Sequence, residues 1–127
     1  MKVKFIILLF NFFFIAFTCI SQDTIIPSQA ISYIGKTVCV KGKVVGSFYA
    51  EGTPEKPTFL HLNKKFPENE IDVFIFDDDR KKINFNRLIY KGKTVVICGE
   101  MEWMKNQYEE KPGLKIKELS QITICEK

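Results

Sequence analysis

One stretch of the chain, Tyr33–Val44, returns almost position for position as Tyr90–Met101. In both copies a Gly-Lys pair precedes an alternating run of β-branched residues, which places Val38 and Val40 of the first copy on one strand face. A second glycine lies inside each predicted strand, where it favours a bulge or a sharp bend. The repeat therefore predicts two equivalent, bent strands of the kind that close a small barrel.

The first 21 residues have the pattern of a bacterial secretory signal. Two lysines precede an apolar run from Phe5 to Phe17, which is short for a membrane span of about 20 residues. We expect cleavage after Ser21, a single exported domain of residues 22–127, and a periplasmic or secreted location. The alternative is a lipoprotein acylated at Cys19, although the residues before that cysteine fit such a site poorly.

Charge alone does not single out a nucleic-acid partner. Loss of the signal lowers the number of basic residues from 19 to 17 against 15 acidic residues, which leaves a net charge of +2. Dedicated nucleic-acid binders usually show a clustered basic face and a high pI. The placement of the charges in the fold must therefore decide.

The order of the predicted elements favours one architecture. The predicted strands are residues 37–49, 58–62, 71–76, 94 to at least 103, and 114–117, with a helical turn at 28–33, a helix at 80–90 and a last apolar run at 122–124. Asp77–Asp79 offers an N-cap to that helix. Three strands, one short helix and two strands form the order of an all-β, five-stranded Greek-key barrel, the oligonucleotide/oligosaccharide-binding (OB) fold. An SH3-like barrel has no reason to place a helix there.

Three cysteines remain in the predicted exported domain, where a disulfide can persist. A final hairpin with its turn at Glu110–Gly113 would place Cys98 opposite Cys125, which is the pairing we expect. The alternative joins Cys39 to Cys98, because the first and fourth strands of such a barrel are neighbours. A third possibility is three semi-buried free cysteines.

Five blocks of sequence stand out in order along the chain: Ile34–Val44, Pro57–Leu62, Asp72–Phe76, Tyr90–Val95 and Ser120–Ile122. Together they resemble a family of bacterial OB-fold nucleic-acid-binding domains, some of which are small exported proteins. The resemblance covers the chain from about Ala30 to Ile124 and implies that this barrel binds single-stranded nucleic acid. The chain departs from the family at His61, at Phe76 and at its run of aspartates, where Asn, Trp and a Gly-acid turn are usual.

OB folds hold single strands on the face of strands two and three and on the neighbouring loops. Phe59, His61, Phe74 and Phe76 alternate with the predicted core residues and so share the outward face. Rings on this face would stack with bases, at about 1–3 kcal/mol for each base. Further candidates are rings at the border and lysines for phosphates: Phe48, Tyr49, Trp103, Tyr108, Lys41, Lys43, Lys64, Lys65 and Lys105. The alternative is that part of this face is covered and forms a second small core.

The sequence predicts neither a catalytic nor a metal site. His61 is the only histidine, and Asp77–Asp79 fits a helix terminus better than a cation site. Nothing in the pattern pairs a nucleophile with a base. We therefore expect a monomeric, non-enzymatic binding module without a cofactor, which takes single-stranded DNA or RNA. The alternative ligands are a peptide, a glycan or an envelope protein.

Overall fold

The computed structural model describes residues 24–105 and 109–125. Within these residues the strands are β1 (Thr24–Ile25), β2 (Thr37–Tyr49), β3 (Thr58–Leu62), β4 (Asp72–Ile75), β5 (Thr94–Lys105), β6 (Glu110–Lys115) and β7 (Ile122–Cys125), and the α-helix is α1 (Asp77–Lys82). Short 3₁₀ helices cover Pro27–Tyr33, Arg87–Tyr90 and Leu119–Gln121. None of these helices is long and apolar enough to cross a membrane. The predicted signal peptide, Cys19 and Tyr108 lie outside the described residues.

Five of these strands close into a barrel because β2 pairs with two partners along its length. Residues 37–43 of β2 pair with β5 and residues 44–49 pair with β3, both antiparallel. The β3–β4 and β5–β6 pairs are antiparallel, and a parallel β4–β6 pair completes the circle. This is the predicted OB-fold barrel, and β1 and β7 extend it along β2 and β5.

The sequence repeat forms two equivalent corners of the barrel. Gly35 and Gly92 have φ values of +85° and +74°, which glycine adopts without steric cost. The Gly35 amide donates to the Met101 carbonyl over 2.7 Å, and the Gly92 amide donates to the Val44 carbonyl over 2.9 Å. Each Gly-Lys turn therefore hydrogen-bonds to the last residue of the other copy.

The bend in β2 lies where the strand changes partner. The register with β3 shifts between Val44 and Gly46, which is a bulge. It lies after Gly42, the glycine at which the sequence predicts a bulge or bend. A Cβ atom on Gly42, just before it, would lie 3.1 Å from Asn63 Oδ1. That oxygen accepts a hydrogen bond from the Lys43 amide. The missing side chain of Gly42 thus lets β2 approach the end of β3.

The barrel interior contains the side chains that the alternating pattern assigns to it. Each of the following is at most 6% exposed: Val38, Val40, Leu60, Leu62, Ile71, Val73, Ile75, Val95 and Ile97. Complete burial of a side chain of this size contributes about 1.5–3 kcal/mol. The apolar alternation therefore fixes which face of each strand points inward.

The segment between β4 and β5 differs from the prediction of one helix over residues 80–90. The α-helix begins at Asp77 and ends at Lys82, and Arg87–Tyr90 is a separate 3₁₀ helix. Phe76 is the N-cap and its side chain makes no cap hydrogen bond, so the aspartates occupy the first turn instead of the cap. Asn84 follows the C-cap with φ at +53°, a left-handed conformation that ends the helix early.

The disulfide joins Cys39 to Cys98, with the two Sγ atoms 2.00 Å apart. These residues are direct partners in the β2–β5 pair. The expected Cys98–Cys125 pairing is wrong, because Cys125 is a free cysteine opposite Thr94. The expected turn at Glu110–Gly113 is also wrong, since these residues pair with β5 as part of β6, and β7 follows the other edge of β5.

Candidate functional site

A cleft of about 1060 Å³ lies over the outer face of β3 and beside the bulge of β2. Three rings line it from neighbouring elements, and we call Phe48, Phe59 and Phe66 the cleft rings. Phe48 and Phe59 are direct cross-strand partners, so their side chains share one face. Phe48 is 58% exposed and Phe66 is 54% exposed. The faces of these rings are therefore accessible to a ligand.

Basic side chains line the same cleft, and we call Lys65, Arg87 and Lys91 the rim cations. Arg87 Nη1 donates to Ser47 Oγ over 2.6 Å, which fixes the guanidinium against β2. Lys65 and Lys91 are exposed on the loops before β4 and β5. The rim cations thus place positive charge close to the cleft rings.

The floor of the cleft is polar and almost fully buried. His61 and Asp72 are direct partners in the β3–β4 pair and are 8% and 5% exposed. Asn69 Nδ2 donates to Asp72 Oδ1 over 2.8 Å, and Lys111 Nζ donates to the Asn69 carbonyl over 2.8 Å and pairs with Glu109. Burial lowers the pKa of His61, which favours the neutral imidazole, and burial raises the pKa of Asp72.

The acidic run at the start of α1 does not line this cleft. Asp77 Oδ1 accepts a hydrogen bond from Arg80 Nε over 2.8 Å, and its other carboxylate oxygen pairs with Lys81. The bond from Arg80 is the main cause of the lowered pKa of Asp77. In residues 24–105 and 109–125 no group of three or more His, Cys, Asp or Glu side chains could hold a metal ion.

Four of the sequence-predicted residues meet in the cleft: Phe48, Phe59, His61 and Lys65. Phe74 does not, because it is 2% exposed and packs against the rings of Phe59 and Phe76, with centroids 6.4 and 5.4 Å away. The prediction of an exposed ring at Phe74 is therefore wrong. Its strand lies between β3 and β6, so long side chains from both neighbours cover it. This small second core on the outer face is the alternative that the sequence left open.

The remaining predicted rings lie elsewhere. The Tyr49 hydroxyl donates to Asp77 Oδ1 over 3.4 Å, and the guanidinium carbon of Arg80 lies 5.7 Å from the centre of its ring, so Tyr49 faces α1. Phe76 is half-buried, with Lys115 Nζ 5.3 Å from its centroid. Trp103 is 45% exposed on β5 but does not line the cleft.

The predicted lysines are exposed but dispersed. Lys41 and Lys43 lie on the part of β2 that pairs with β5, away from the cleft lining, and Lys105 ends β5. Lys64 pairs with Glu70 over 3.8 Å. Of the predicted lysines, Lys65 lines the cleft and the other four do not, so they do not form one basic surface with the rings.

Sequence reasoning missed these residues of the site: Phe66, Asn69, Arg87, Lys91 and Lys111. Lys111 is 7% exposed in β6, although the Pro-Gly pair after it is typical of a turn. Phe66 and Asn69 belong to the β3–β4 connection, whose path depends on contacts with Lys111 and His61. The one available signal was a phenylalanine inside an otherwise polar loop.

Comparison with known proteins supports the fold. No model of a protein family and no curated protein matches the sequence. Among solved structures, an aspartyl-tRNA synthetase from Leishmania major matches with 18% identity and a TM-score of 0.57, covering 82% of this chain and 21% of that chain. Aspartyl-tRNA synthetase from Entamoeba histolytica matches with 12% identity and a TM-score of 0.57, covering 81% of this chain and 21% of that chain.

A third solved structure is an OBody bound to hen egg-white lysozyme, at 15% identity and a TM-score of 0.54, covering 84% of this chain and 97% of that chain. This chain thus spans about a fifth of the length of each synthetase. At these identities the three structures establish the OB-type barrel, and the chemistry of the cleft has to be argued from its own residues.

Proposed function

We propose that this domain is a non-catalytic module that binds single-stranded nucleic acid in the cleft. The observation that carries the proposal is the meeting of three cleft rings with three rim cations. Rings stack with bases and basic side chains contact phosphates, which is how OB folds hold single strands. The two aspartyl-tRNA synthetases, enzymes named for a nucleic-acid substrate, support this choice of ligand.

Matched charge variants test where phosphates bind. The Lys65→Gln, Lys91→Gln protein loses two charges inside the cleft, and the Lys41→Gln, Lys43→Gln protein loses two outside it. Fluorescence anisotropy of labelled single-stranded DNA and RNA, measured over a salt series, gives the affinity of each. We expect the cleft variant to bind more weakly and to reduce the logarithmic salt slope by about 0.7 for each lost contact. Equal effects of the two variants would contradict binding in the cleft.

Matched ring variants test stacking in the same titration. Phe48→Ala removes an exposed ring of the cleft, and Trp103→Ala removes an exposed ring outside it. Loss of one stacked base costs about 1–3 kcal/mol, so we expect a clear decrease in affinity for Phe48→Ala and little change for Trp103→Ala. No binding by the wild-type protein at low salt would overturn the proposed function.

The second candidate ligand is an apolar segment of a peptide or of an envelope protein. Phe48 and Leu88 line the cleft and are 58% and 63% exposed, and the OBody neighbour is bound to a protein. Apolar docking would change little with salt, whereas binding to phosphates weakens steeply as salt rises. The salt series therefore separates the two ligands, and a glycan would also fall on the salt-insensitive side.

We also propose that the domain is exported and acts as a monomer. The Cys39–Cys98 disulfide supports an oxidising compartment, and the signal pattern of residues 1–21 and the resemblance to small exported OB-fold proteins point the same way. The intact mass of the protein recovered outside the cytoplasm tests cleavage after Ser21 against acylation of Cys19. Light scattering of the same sample tests the monomer.

A further inference from the structure

The floor of the cleft presents polar atoms that have no hydrogen-bond partner among residues 24–105 and 109–125. Asp72 Oδ1 accepts from Asn69, but within the described residues neither Asp72 Oδ2 nor the ring nitrogens of His61 have a hydrogen-bond partner. Both side chains are more than nine-tenths buried, yet no fully buried side-chain nitrogen or oxygen in this part of the chain is without a partner. These atoms are therefore reached from the cleft, where a ligand can pair with them.

The polar groups behind this floor are already engaged. Lys111 Nζ donates to the carbonyls of Asn69 and Pro67 and pairs with Glu109, over distances of 2.8, 3.2 and 2.8 Å. The Asn69 amide group donates to Asp72, and its side-chain oxygen accepts from Lys111. Neither Lys111 nor Asn69 is available to a ligand, and together they fix the carboxylate of Asp72 in place.

The space beside His61 suits a flat ring. Gly46 is the cross-strand partner of His61, and a Cβ atom at Gly46 would lie 3.5 Å from His61 Nδ1. The missing side chain leaves a slot next to the imidazole. The ring of Phe66, with its centroid 6.0 Å from that of His61, lines the same cleft. His61 lies between Gly46 and Asp72, because β3 lies between β2 and β4. A planar group that lies across the floor of the cleft can therefore reach the polar atoms of both His61 and Asp72.

We propose that this slot holds one base that carries an exocyclic amino group, and that Asp72 accepts a hydrogen bond from that group. The inference rests on the proposed nucleic-acid function. An ionised carboxylate accepts hydrogen bonds and cannot donate them, whereas a neutral imidazole can donate to a neighbouring ring nitrogen. Cytosine presents this pair, an amino group beside an acceptor nitrogen. Uracil presents a carbonyl oxygen in place of the amino group, and its ring N–H lies between two carbonyl oxygens that repel a carboxylate.

Two RNA homopolymers that differ only in this edge test the inference. Oligocytidylate and oligouridylate of equal length are titrated against the wild-type protein and against Asp72→Asn at neutral pH. We expect the wild-type protein to bind oligocytidylate at least about tenfold more tightly. In Asp72→Asn the amide can donate to the uracil carbonyl, so the preference should disappear or reverse. Equal affinity of the wild-type protein for the two homopolymers would overturn the inference and leave nucleic-acid binding intact.

A modified oligomer keeps the test independent of how well the variant folds. Oligomers of 2-pyrimidinone riboside are cytidine without its amino group, and the wild-type protein should bind them at least about tenfold more weakly than oligocytidylate. Equal binding of both, or a preference for cytosine that persists in folded Asp72→Asn, would show that Asp72 does not read the amino group. Failure to bind any of the oligomers would overturn the proposed function itself.

Discussion

The two sheets of the barrel share β2 and β5 but use their outer faces differently. In the stapled sheet, formed by β1, β7, residues 37–43 of β2 and residues 94–100 of β5, the Cys39–Cys98 disulfide joins the two central strands. In the cleft sheet, formed by residues 44–49 of β2, β3, β4, β6 and residues 101–105 of β5, the outer face carries rings and unpartnered polar atoms. The disulfide joins the strands of one face, and the other is the face on which we propose that the ligand binds.

The difference arises within single strands. Lys43 and Phe48 both project outward from β2, yet Lys43 belongs to the stapled sheet and Phe48 to the cleft, because the bulge between Val44 and Gly46 separates them. The bulge also marks the place where β2 exchanges β5 for β3 as its partner. A long bent strand therefore lets one chain segment contribute to the face of the disulfide and to the face of the cleft.

We expect the largest effect from removal of the disulfide in the stapled sheet. Replacing both Cys39 and Cys98 with serine removes a bond between residues 59 positions apart and should lower the free energy of unfolding by about 2–4 kcal/mol. Urea denaturation of the purified protein measures this change. Below the unfolding transition, affinity for single-stranded nucleic acid should be unaffected, because the bond lies outside the cleft. Cys125→Ser is the control and should leave stability within about 0.5 kcal/mol of the wild type.

We expect the next largest effect at Gln121, which forms hydrogen bonds to both sheets. Gln121 Nε2 donates to the carbonyls of Cys98 and Lys115, and its Oε1 accepts from the amides of Lys117 and Glu118. Gln121→Ala removes four hydrogen bonds, part of which water can replace, so the expected loss is about 2 kcal/mol.

Thermal unfolding of Gln121→Ala and of Ser120→Ala, its exposed neighbour, measures this loss. The serine variant should unfold close to the wild type. Equal midpoints for all three proteins would show that the glutamine bonds do not hold the sheets together.

Strands β2 and β3 are the part of the fold that local sequence predicts best. The repeat, with its Gly-Lys turns and β-branched alternation, predicts β2 over Thr37–Tyr49, and the same alternation predicts β3 over Thr58–Leu62. These signals lie within a few residues of the structure that they determine. The disulfide partner of Cys98 does not follow from them, because it depends on which edge of β5 the chain takes after Leu119–Gln121.

The cleft is predicted less well because its residues become neighbours only through the fold. Alternation correctly places Phe59 and Phe74 on the outer face, but it cannot show that Phe74 is covered and Phe59 is half-exposed. Lys111 and Asn69 meet across 42 positions of sequence, and no local pattern records that contact. Burial of polar residues on the outer face depends on how the β3–β4 connection folds back over the strands.

A larger side chain at Gly46 should fill part of the cleft and leave the stapled sheet intact. Gly46 has room for a side chain, since a Cβ atom would lie 3.5 Å from His61 Nδ1, and Gly46→Leu should fill the slot while the protein stays folded. Affinity for single-stranded nucleic acid should decrease by about tenfold, the loss of roughly one stacked base. Gly52→Leu in the β2–β3 loop, where a Cβ atom has nothing within 4 Å, is the matched control and should bind as the wild type does.

We expect the smallest effect, a dependence of folding stability on pH, from His61 in the cleft sheet. Burial and the charge of Lys111 lower the pKa of His61 from its ordinary value of 6.5, and Asp72 opposes them. The unfolded chain therefore binds a proton at this residue more readily than the folded protein does, so stability is lost as the pH falls through about 6.5. In His61→Asn this contribution is absent, and the thermal midpoint should change less between about pH 5 and 7 than in the wild type.

The raised pKa of Asp72 acts in the opposite direction, and its effect begins near its ordinary pKa of 3.8. A carboxyl with a raised pKa destabilises the folded protein once the pH rises above the ordinary pKa of an aspartate. This loss of stability is reversed on acidification. The charge of His61 also lowers the pKa of Asp72, so the difference between the two midpoint curves reports His61 together with its effect on Asp72. Parallel curves would mean that the imidazole is protonated as readily in the cleft as in the unfolded chain. The neutral donor that the proposed base site requires would then be lost at mildly acidic pH.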